Sequence, residues 1–146
     1  MEIRQANRND LGRISEIMVF NNRINYLPIF NDEDFSFNVM RVDKLIPEYE
    51  KLIDNLYVLI DKDILRGFME IDDERLVKLY VDPFFQRRGY GDKLINYAID
   101  NFDIKYLWAL EKNEKAIKFY QRHGFNVTNE KKFEEDTTEY LIKLLR

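Results

Sequence analysis

Residues 79–91 read Leu-Tyr-Val-Asp-Pro-Phe-Phe-Gln-Arg-Arg-Gly-Tyr-Gly. An apolar, strand-like run passes through Asp-Pro and ends in two glycines, just before residues with helical spacing. Glycine lets backbone approach a ligand closely, and a helix N-terminus offers unpaired N–H groups and partial positive charge. With its arginines, the segment 86–91 is therefore a candidate phosphate or pyrophosphate cradle. A tight turn with solvated arginines is the alternative interpretation.

The glycine spacing excludes two common nucleotide-binding motifs. The dinucleotide fingerprint needs a third glycine where this chain has Leu94, and a Walker loop needs Gly-Lys-Ser/Thr. A second pattern follows about twenty residues after the glycines. It reads Asn-x-x-Ala-x-x-Phe-Tyr-x-x-x-Gly-Phe from Asn113 to Phe125. Asn113 suits a helix N-cap and Gly124 a left-handed residue after the helix C-terminus.

Periodicity predicts the remaining elements. Strands are expected at 2–5, 56–61, 64–71, 75–81, 104–110, 125–128 and 138–144. Helices are expected at 11–21, at 32–44, from after Gly91 to Phe102, and at 113–124. Short acidic turns at 61–63 and 72–74 predict an antiparallel meander, whereas the helix between the strands at 75–81 and 104–110 predicts a parallel βαβ crossover. The fold class is thus α/β in the α+β sense, with a mixed, mostly antiparallel sheet of about seven strands and about four helices.

Composition limits the classes of function. The 146 residues include 23 Lys and Arg, 27 Asp and Glu, one His and no Cys, for a formal net charge of -4. This length and balance predict one domain over 1–146, no nucleic-acid partner, no thiolate nucleophile and no metal site. No apolar run approaches a membrane span and the N-terminal residues are polar, so we expect a cytoplasmic chain without a membrane partner.

Both motifs, in this order and spacing, resemble those of the GCN5-related N-acetyltransferase (GNAT) family. That family has an acyl-CoA loop of the form Gln/Arg-x-x-Gly-x-Gly/Ala and a later helix with the pattern seen from Asn113. The predicted order of elements also resembles that fold across essentially the whole chain. The resemblance implies an acetyl-CoA-dependent N-acetyltransferase that acts without a covalent enzyme intermediate.

The resemblance also implies the binding roles. Backbone groups of Leu79 and Val81 would pair with the pantetheine arm in a V-shaped opening between strands, and loop N–H groups would bind the pyrophosphate. The candidate cofactor-binding residues are Leu79, Tyr80, Val81, Gln86, Arg87, Arg88, Gly89, Tyr90, Gly91, Asp92, Asn113, Ala116, Phe119 and Tyr120.

Tyr120 is the candidate catalytic residue. A tyrosine with a pKa of about 10 is matched to protonate a departing thiolate whose pKa is about 8.5. Position alone favours a core role for an aromatic residue at helical spacing, and the family pattern favours the catalytic role. No motif places a general base, so Glu70, Glu74 and Glu111 remain open alternatives.

The sequence says least about the acceptor substrate. Relatives that acetylate ribosomal protein N-termini have a glutamate where this chain has Trp108, which argues against that substrate class. We expect a small-molecule amine, with a protein lysine or N-terminus, or a noncatalytic acyl-CoA-binding module, as alternatives. The Pro-interrupted aromatic segment at 26–30 suits either a cleft wall or a packed loop. His123 suits a helix-capping role. The basic residues Lys112, Lys115, Lys118 and Arg122 suit either a solvated helix face or a contact with the cofactor phosphate. Members of this family often pair as dimers, so a homodimer is also considered.

Overall fold

A single mixed sheet organises the protein, and the computed structural model describes all residues from 1 to 146. Its spatial order is β1-β2-β3-β4-β5-β7-β6. The strands are β1 (Glu2–Gln5), β2 (Leu56–Asp61), β3 (Ile64–Asp72), β4 (Arg75–Val81), β5 (Tyr106–Leu110), β6 (Asn126–Phe133) and β7 (Tyr140–Leu145). All neighbouring pairs are antiparallel except β4 and β5, which confirms the predicted meander and crossover.

Five α-helices cover the two faces of the sheet. They are α1 (Leu11–Asn21), α2 (Leu27–Phe30), α3 (Val42–Lys51), α4 (Tyr90–Phe102) and α5 (Glu114–Arg122). Helices α1 and α3 bury one apolar cluster around Phe68, while α4 and α5 pack on the opposite cluster around Met69. The alternation of Phe68 and Met69 on β3 produces these two cores, because successive strand residues point to opposite faces. None of the helices is long and apolar enough to cross a membrane.

The helix predicted at 32–44 is present only in part, because residues 33–39 are helical but the helix breaks at residues 40–41. Asp32 caps a π-helical turn over Phe35–Val39 by accepting from Phe35 N–H at 3.0 Å, and α3 starts only at Val42. The helix then runs through Pro47, a residue that normally costs about 3 kcal/mol inside a helix. Burial of Leu45 and Tyr49, each worth about 1.5–3 kcal/mol, offsets that cost.

Strand boundaries also differ from expectation at the C-terminal end. β5 begins at Tyr106 and not at 104, β7 is shifted to Tyr140–Leu145, and β6 extends to Phe133 and not to 128. β6 is an edge strand whose side chains are almost all exposed, so its charged residues 130–132 do not interrupt it. A register shift between Val127 and Lys131 accommodates its extra length.

The sheet opens between β4 and β5. Their parallel register contains only Arg75 with Tyr106 and Leu76 with Leu107. Beyond Leu76 the strands diverge, so the rest of β4 has an unpaired edge on this side. The V-shaped opening that the family resemblance implied is therefore present.

The absence of a side chain at Gly67 allows α4 to pack closely on the sheet. A Cβ at this position would lie 2.8 Å from the Tyr80 carbonyl oxygen and 3.0 Å from Leu94 Cδ1. We expect Gly67→Ala to lower the free energy of unfolding by about 1–3 kcal/mol, because backbone and a core side chain must both move. Denaturant unfolding measures the change.

Gly12→Ala is the matched control. Gly12 lies on α1 and a Cβ there has nothing within 4 Å. The same substitution should raise stability by up to about 1 kcal/mol through the unfolded-state entropy of glycine. Equal destabilisation by both variants would contradict the steric account of Gly67.

Candidate active site

A cleft of about 1610 Å³ occupies the opening between β4 and β5. One end is formed by β4, the loop after it, the start of α4, and α5. All of the residues predicted to bind a cofactor line the cleft except Arg88. The other end is formed by the α1–α2 segment, Trp108 on β5 and the β6–β7 hairpin. The cleft therefore joins the two motifs to a part of the chain in which the sequence showed no motif.

The loop end is shaped by glycine. Gly89 is the N-cap of α4 with φ of 82°, and no atom lies within 4 Å of where its Cβ would be. The first-turn N–H groups of α4 have no acceptor within the helix and face a site that favours anions. Gly91, by contrast, lies against a neighbouring side chain, because a Cβ at this position would lie 3.3 Å from Phe119 Cε1. One glycine is thus needed for backbone conformation and the other for close packing of α4 against α5.

Polar contacts that sequence reasoning missed hold this loop. Asp82 accepts from Phe84 N–H at 2.8 Å through Oδ1 and from Arg13 Nη2 at 2.8 Å through Oδ2. The guanidinium of Arg66 lies 4.2 Å from the centroid of the Phe85 ring. The Asp-Pro pair could have predicted the Asp82 cap, since Asp before Pro is typical of a helical turn start. Nothing in the sequence indicated the two arginines.

The backbone groups of Leu79 and Val81 face the cleft from the open edge of β4, as expected. Asp82 N–H binds the Arg66 carbonyl oxygen on the β3 side. Since hydrogen-bonded positions alternate along an antiparallel pair, Leu79 and Val81 turn their backbone groups toward the cleft. The Val81 carbonyl oxygen already accepts from Asn21 Nδ2 at 3.1 Å, so Asn21 connects α1 to this edge. The Tyr80 backbone faces β3 instead.

The start of α5 follows the predicted pattern. Asn113 caps the helix by accepting from Ala116 N–H at 3.3 Å through Oδ1. Asn113, Ala116 and Phe119 all line the cleft beside Gly91. At the other end, His123 Nδ1 lies 2.9 Å from the Phe119 carbonyl oxygen and Nε2 lies 3.0 Å from Asp92 Oδ1. His123 thus links the end of α5 to the start of α4.

Tyr120 lies in the cleft with a free hydroxyl. Its ring packs edge-on against Phe119 at 5.2 Å and Phe125 at 6.0 Å. The hydroxyl makes no hydrogen bond to the protein. Burial raises the pKa of Tyr120 above its ordinary value, and the nearby Tyr26 adds to the rise. Tyr120 therefore keeps its proton throughout the neutral range.

Two further tyrosines meet across the cleft. The hydroxyl oxygens of Tyr26 and Tyr80 are 2.6 Å apart. Burial raises the pKa of both, so the pair is neutral. Tyr26 and Phe30 both line the cleft, which decides between the two interpretations of the aromatic segment at 26–30 in favour of a cleft wall.

None of the three open candidates for a general base lines the cleft. Glu70 is buried on β3 and pairs with Lys78 Nζ at 3.1 Å. Glu74 lies in the turn between β3 and β4, and Glu111 pairs with Lys131. Of the basic series on α5, only Lys115 and Arg122 line the cleft. The structure contains no cluster of three or more His, Asp or Glu side chains that could hold a metal ion.

A family model described as the acetyltransferase (GNAT) domain matches residues 53–127. The chain belongs to the GNAT acetyltransferase family. Its reaction class is the transfer of an acetyl group from the co-substrate acetyl-CoA to an amine. The matched region contains the loop end of the cleft but neither the α1–α3 segment nor the β6–β7 hairpin.

Similar proteins agree with this assignment. The peptidyl-lysine N-acetyltransferase YjaB of Salmonella typhimurium is 28% identical over 97 residues, covering 65% of this chain and 67% of YjaB. The peptidyl-lysine N-acetyltransferase YiaC of Escherichia coli is 36% identical over 66 residues, and this GNAT chain spans only 45% of its length. The solution structure of Escherichia coli YjaB superposes with a TM-score of 0.82 at 19% identity, covering 99% of this chain and 95% of YjaB. The structure of the PaiA N-acetyltransferase of Thermoplasma acidophilum in complex with coenzyme A superposes with a TM-score of 0.73 at 20% identity, covering 99% of this chain and 98% of PaiA.

The loop geometry leads to a binding prediction. We expect Gly89→Glu to weaken acetyl-CoA binding at least about tenfold, because a carboxylate and a strained φ would occupy the space in front of the α4 N-terminus. Isothermal titration measures the dissociation constant.

Gly124→Glu controls for backbone strain. Gly124 has φ of 91° with nothing within 4 Å of its Cβ, and it lies outside the cleft. This variant should bind acetyl-CoA like the wild type. Equal loss of binding in both variants would attribute the effect to the fold and not to the loop.

Proposed function

We propose that this GNAT protein acetylates a primary amine of a small cationic molecule by direct attack on acetyl-CoA in a ternary complex. The observation that carries the proposal is the arrangement of the cleft: the N-terminus of α4, with N–H groups that have no acceptor within the helix, lies at one end, and an unbonded tyrosine hydroxyl lies beyond the open strand edge. A noncatalytic binding module would not need that hydroxyl.

The donor half fits acetyl-CoA on its geometry. The loop N–H groups from Arg87 to Asp92 would hold the pyrophosphate, aided by Arg87 and Arg122 on the cleft wall. The backbone groups of Leu79 and the Val81 N–H would bind the amides of the pantetheine arm as a further strand would. Ala116 leaves space beside the arm because its side chain is small.

Tyr120 supplies the proton in the reaction. The amine nitrogen forms a bond to the thioester carbonyl carbon, and the carbon–sulfur bond breaks after a tetrahedral intermediate. The nitrogen of the tetrahedral intermediate releases one proton to solvent, the leaving sulfur takes the hydroxyl proton of Tyr120, and solvent then reprotonates Tyr120. The thiol pKa of about 8.5 lies below that of the phenol, so the proton stays on Tyr120 until the thiolate has largely formed. Before that transfer, the hydrogen bond from the Tyr120 hydroxyl to the developing thiolate already lowers the barrier.

The amine must lose its own proton before it attacks. The three glutamates considered as bases lie outside the cleft, and the carboxylates that do line it make no hydrogen bond to Tyr26, Tyr80 or Tyr120. We therefore propose that the acceptor is deprotonated by water and not by a dedicated side chain. Only the neutral fraction of the amine, small near pH 7, would then react.

Acetylation of protein lysines is the second candidate. The curated names of YjaB and YiaC, peptidyl-lysine N-acetyltransferases, favour it. A lysine side chain presents the same alkylammonium group as a small amine. A panel of small amines and lysine peptides, followed by thiol release and product mass, distinguishes the two.

We predict that Tyr120→Phe lowers kcat by about 100-fold with little change in acetyl-CoA affinity, because general acid catalysis typically contributes that much. Thiol release measures turnover and titration measures binding. Tyr97→Phe is the matched control, since Tyr97 lies on α4 with its ring against Phe102 and outside the cleft. Full activity of Tyr120→Phe would exclude the acid role.

The pH profile tests the absence of a dedicated base. We expect kcat/KM to rise about tenfold per pH unit from about pH 6 to about pH 9, following the neutral amine. Burial raises the pKa of Tyr120, so Tyr120 loses its proton only on the alkaline side of that range. Any fall in rate from loss of this proton donor is therefore expected above about pH 9. A plateau beginning near pH 7 would instead indicate a base that titrates there.

A further inference from the structure

The loop between β4 and α4 is held by few hydrogen bonds of its own. The N–H groups of residues 89–92 donate to no acceptor in the protein, and the ladder of α4 begins with the Lys93 N–H, which bonds to the Gly89 carbonyl oxygen at 3.1 Å. Arg87 has a left-handed φ of 65°, which side chains rarely adopt. A strained loop with unbonded N–H groups keeps its shape only if neighbouring side chains support it.

A bulge in β3 directs one such side chain, that of Arg66, toward the loop. The pairing of β2 with β3 shifts between Leu59 and Ile60, which leaves Arg66 as the extra residue. A bulge re-aims a side chain away from the regular alternation of a strand. The Arg66 guanidinium lies 4.2 Å from the centroid of the Phe85 ring and 5.7 Å from that of the Tyr90 ring. Arg66 therefore packs against the residues on both sides of the segment 86–89.

A short hydrogen bond joins the first residue of α4 to the end of β2. The Tyr90 hydroxyl donates to Asp61 Oδ2 at 2.6 Å, and the Asp61 carbonyl oxygen accepts from Arg66 Nε at 3.1 Å. The Tyr90 hydrogen bond, with smaller contributions from nearby positive charges, holds the pKa of Asp61 below its ordinary value, so Asp61 is a carboxylate at neutral pH. Hydrogen bonds to a carboxylate are stronger than those between neutral groups. Asp61, Arg66 and Tyr90 are here called the loop anchor.

The loop anchor supports the loop from outside the cleft. Phe85 and Tyr90 line the cleft, whereas Asp61 and Arg66 do not. Asp61 and Arg66 can therefore act on a ligand in the cleft only through the loop that they hold. N–H groups that are already in position bind an anion without the cost of ordering them.

We propose that the loop anchor positions the N–H groups at the start of α4 for the diphosphate of acetyl-CoA, with Asp61 and Arg66 as positioning residues. This inference rests on the proposed site of acetyl-CoA in the cleft. It makes the anchor important only for a donor that carries a diphosphate. A donor without one would use the open edge of β4 and Tyr120 but not the loop.

The test compares acetyl-CoA with S-acetylpantetheine, a donor that has the same thioester and no phosphate. We expect Asp61→Ala to raise KM for acetyl-CoA by about tenfold, the size of one charge-assisted hydrogen bond, while kcat at saturating acetyl-CoA stays the same. The kcat/KM for S-acetylpantetheine should stay the same. Thiol release with one fixed amine measures these constants, and isothermal titration of acetyl-CoA measures the loss of affinity directly.

The sign of the Asp61 effect separates positioning from charge. Removal of a negative charge near the loop would, by electrostatics alone, strengthen binding of an anionic donor. Loss of the anchor weakens it. Tyr90→Phe removes the same hydrogen bond, so the double variant should bind acetyl-CoA no more weakly than either single variant. Asp61→Asn keeps an oxygen acceptor for the Tyr90 hydroxyl and should retain most of the affinity.

Arg66→Lys tests the second contact of the anchor. Lysine keeps the positive charge but lacks the planar guanidinium that packs on Phe85 while Nε binds the Asp61 carbonyl oxygen. We expect KM for acetyl-CoA to rise about threefold and S-acetylpantetheine turnover to stay the same. An unchanged KM for acetyl-CoA would show that Arg66 acts only by its charge and would overturn its positioning role.

Thr128→Val is the matched control for loss of one hydrogen bond. Thr128 Oγ1 donates to the Lys143 carbonyl oxygen at 2.8 Å between β6 and β7, outside the cleft. This variant should keep the wild-type KM for both donors whatever its change in thermal stability. A similar rise in KM for acetyl-CoA in Thr128→Val would attribute the Asp61 effect to the fold and overturn the inference.

The outcomes separate this inference from the function on which it rests. An unchanged or tighter affinity for acetyl-CoA in Asp61→Ala, or an equal loss with both donors, overturns the positioning role and leaves the acetyltransferase proposal intact. Acetyl-CoA binding without thiol release from any amine or lysine peptide overturns the proposed function. The titration of Asp61→Ala with acetyl-CoA then still decides whether the anchor positions the loop.

Discussion

Two residue pairs hold β4 against β5, Arg75 with Tyr106 and Leu76 with Leu107, and the cleft begins where this pairing stops. A longer parallel ladder would satisfy the backbone groups of Leu79 and Val81 and leave no edge for another chain-like ligand. The antiparallel neighbours on both sides, β3 and β7, keep the rest of the sheet continuous. The opening is therefore a local interruption in an otherwise complete sheet.

An interrupted sheet needs bracing from outside, and α1 supplies it. Asn21 donates to the Val81 carbonyl oxygen, and Arg13 binds both Asp82 and the Leu65 carbonyl oxygen. These contacts hold the end of β4 and the start of the loop as one unit. The same helix runs into the turn that carries Asn22 and Tyr26, so α1 contacts the cleft at both the end of β4 and the π-helical turn.

The sequence predicted the strand, loop and helices at the loop end of the cleft well, because their signals are local. The glycine pair, the Asn113 cap and the apolar periods each depend on nearby residues, and the structure has the corresponding strand, loop and helices. The α1–α3 segment at the other end of the cleft was not predictable in this way. The placement of α3 depends on Tyr49 packing against Phe68, a contact between distant segments that allows Pro47 inside a helix. The Tyr26–Tyr80 and Arg13–Asp82 contacts are likewise long-range.

The self-contained bonding of the turn between β6 and β7 has an evolutionary consequence. Its backbone hydrogen bonds join Glu134 to Glu139 and to Thr137, and its acidic side chains contribute nothing to either apolar core. Replacing Glu135 or Asp136 would cost little folding stability, because both are exposed and exposed turn positions tolerate change. The cleft can therefore change its charge at these turn positions during evolution without loss of the fold.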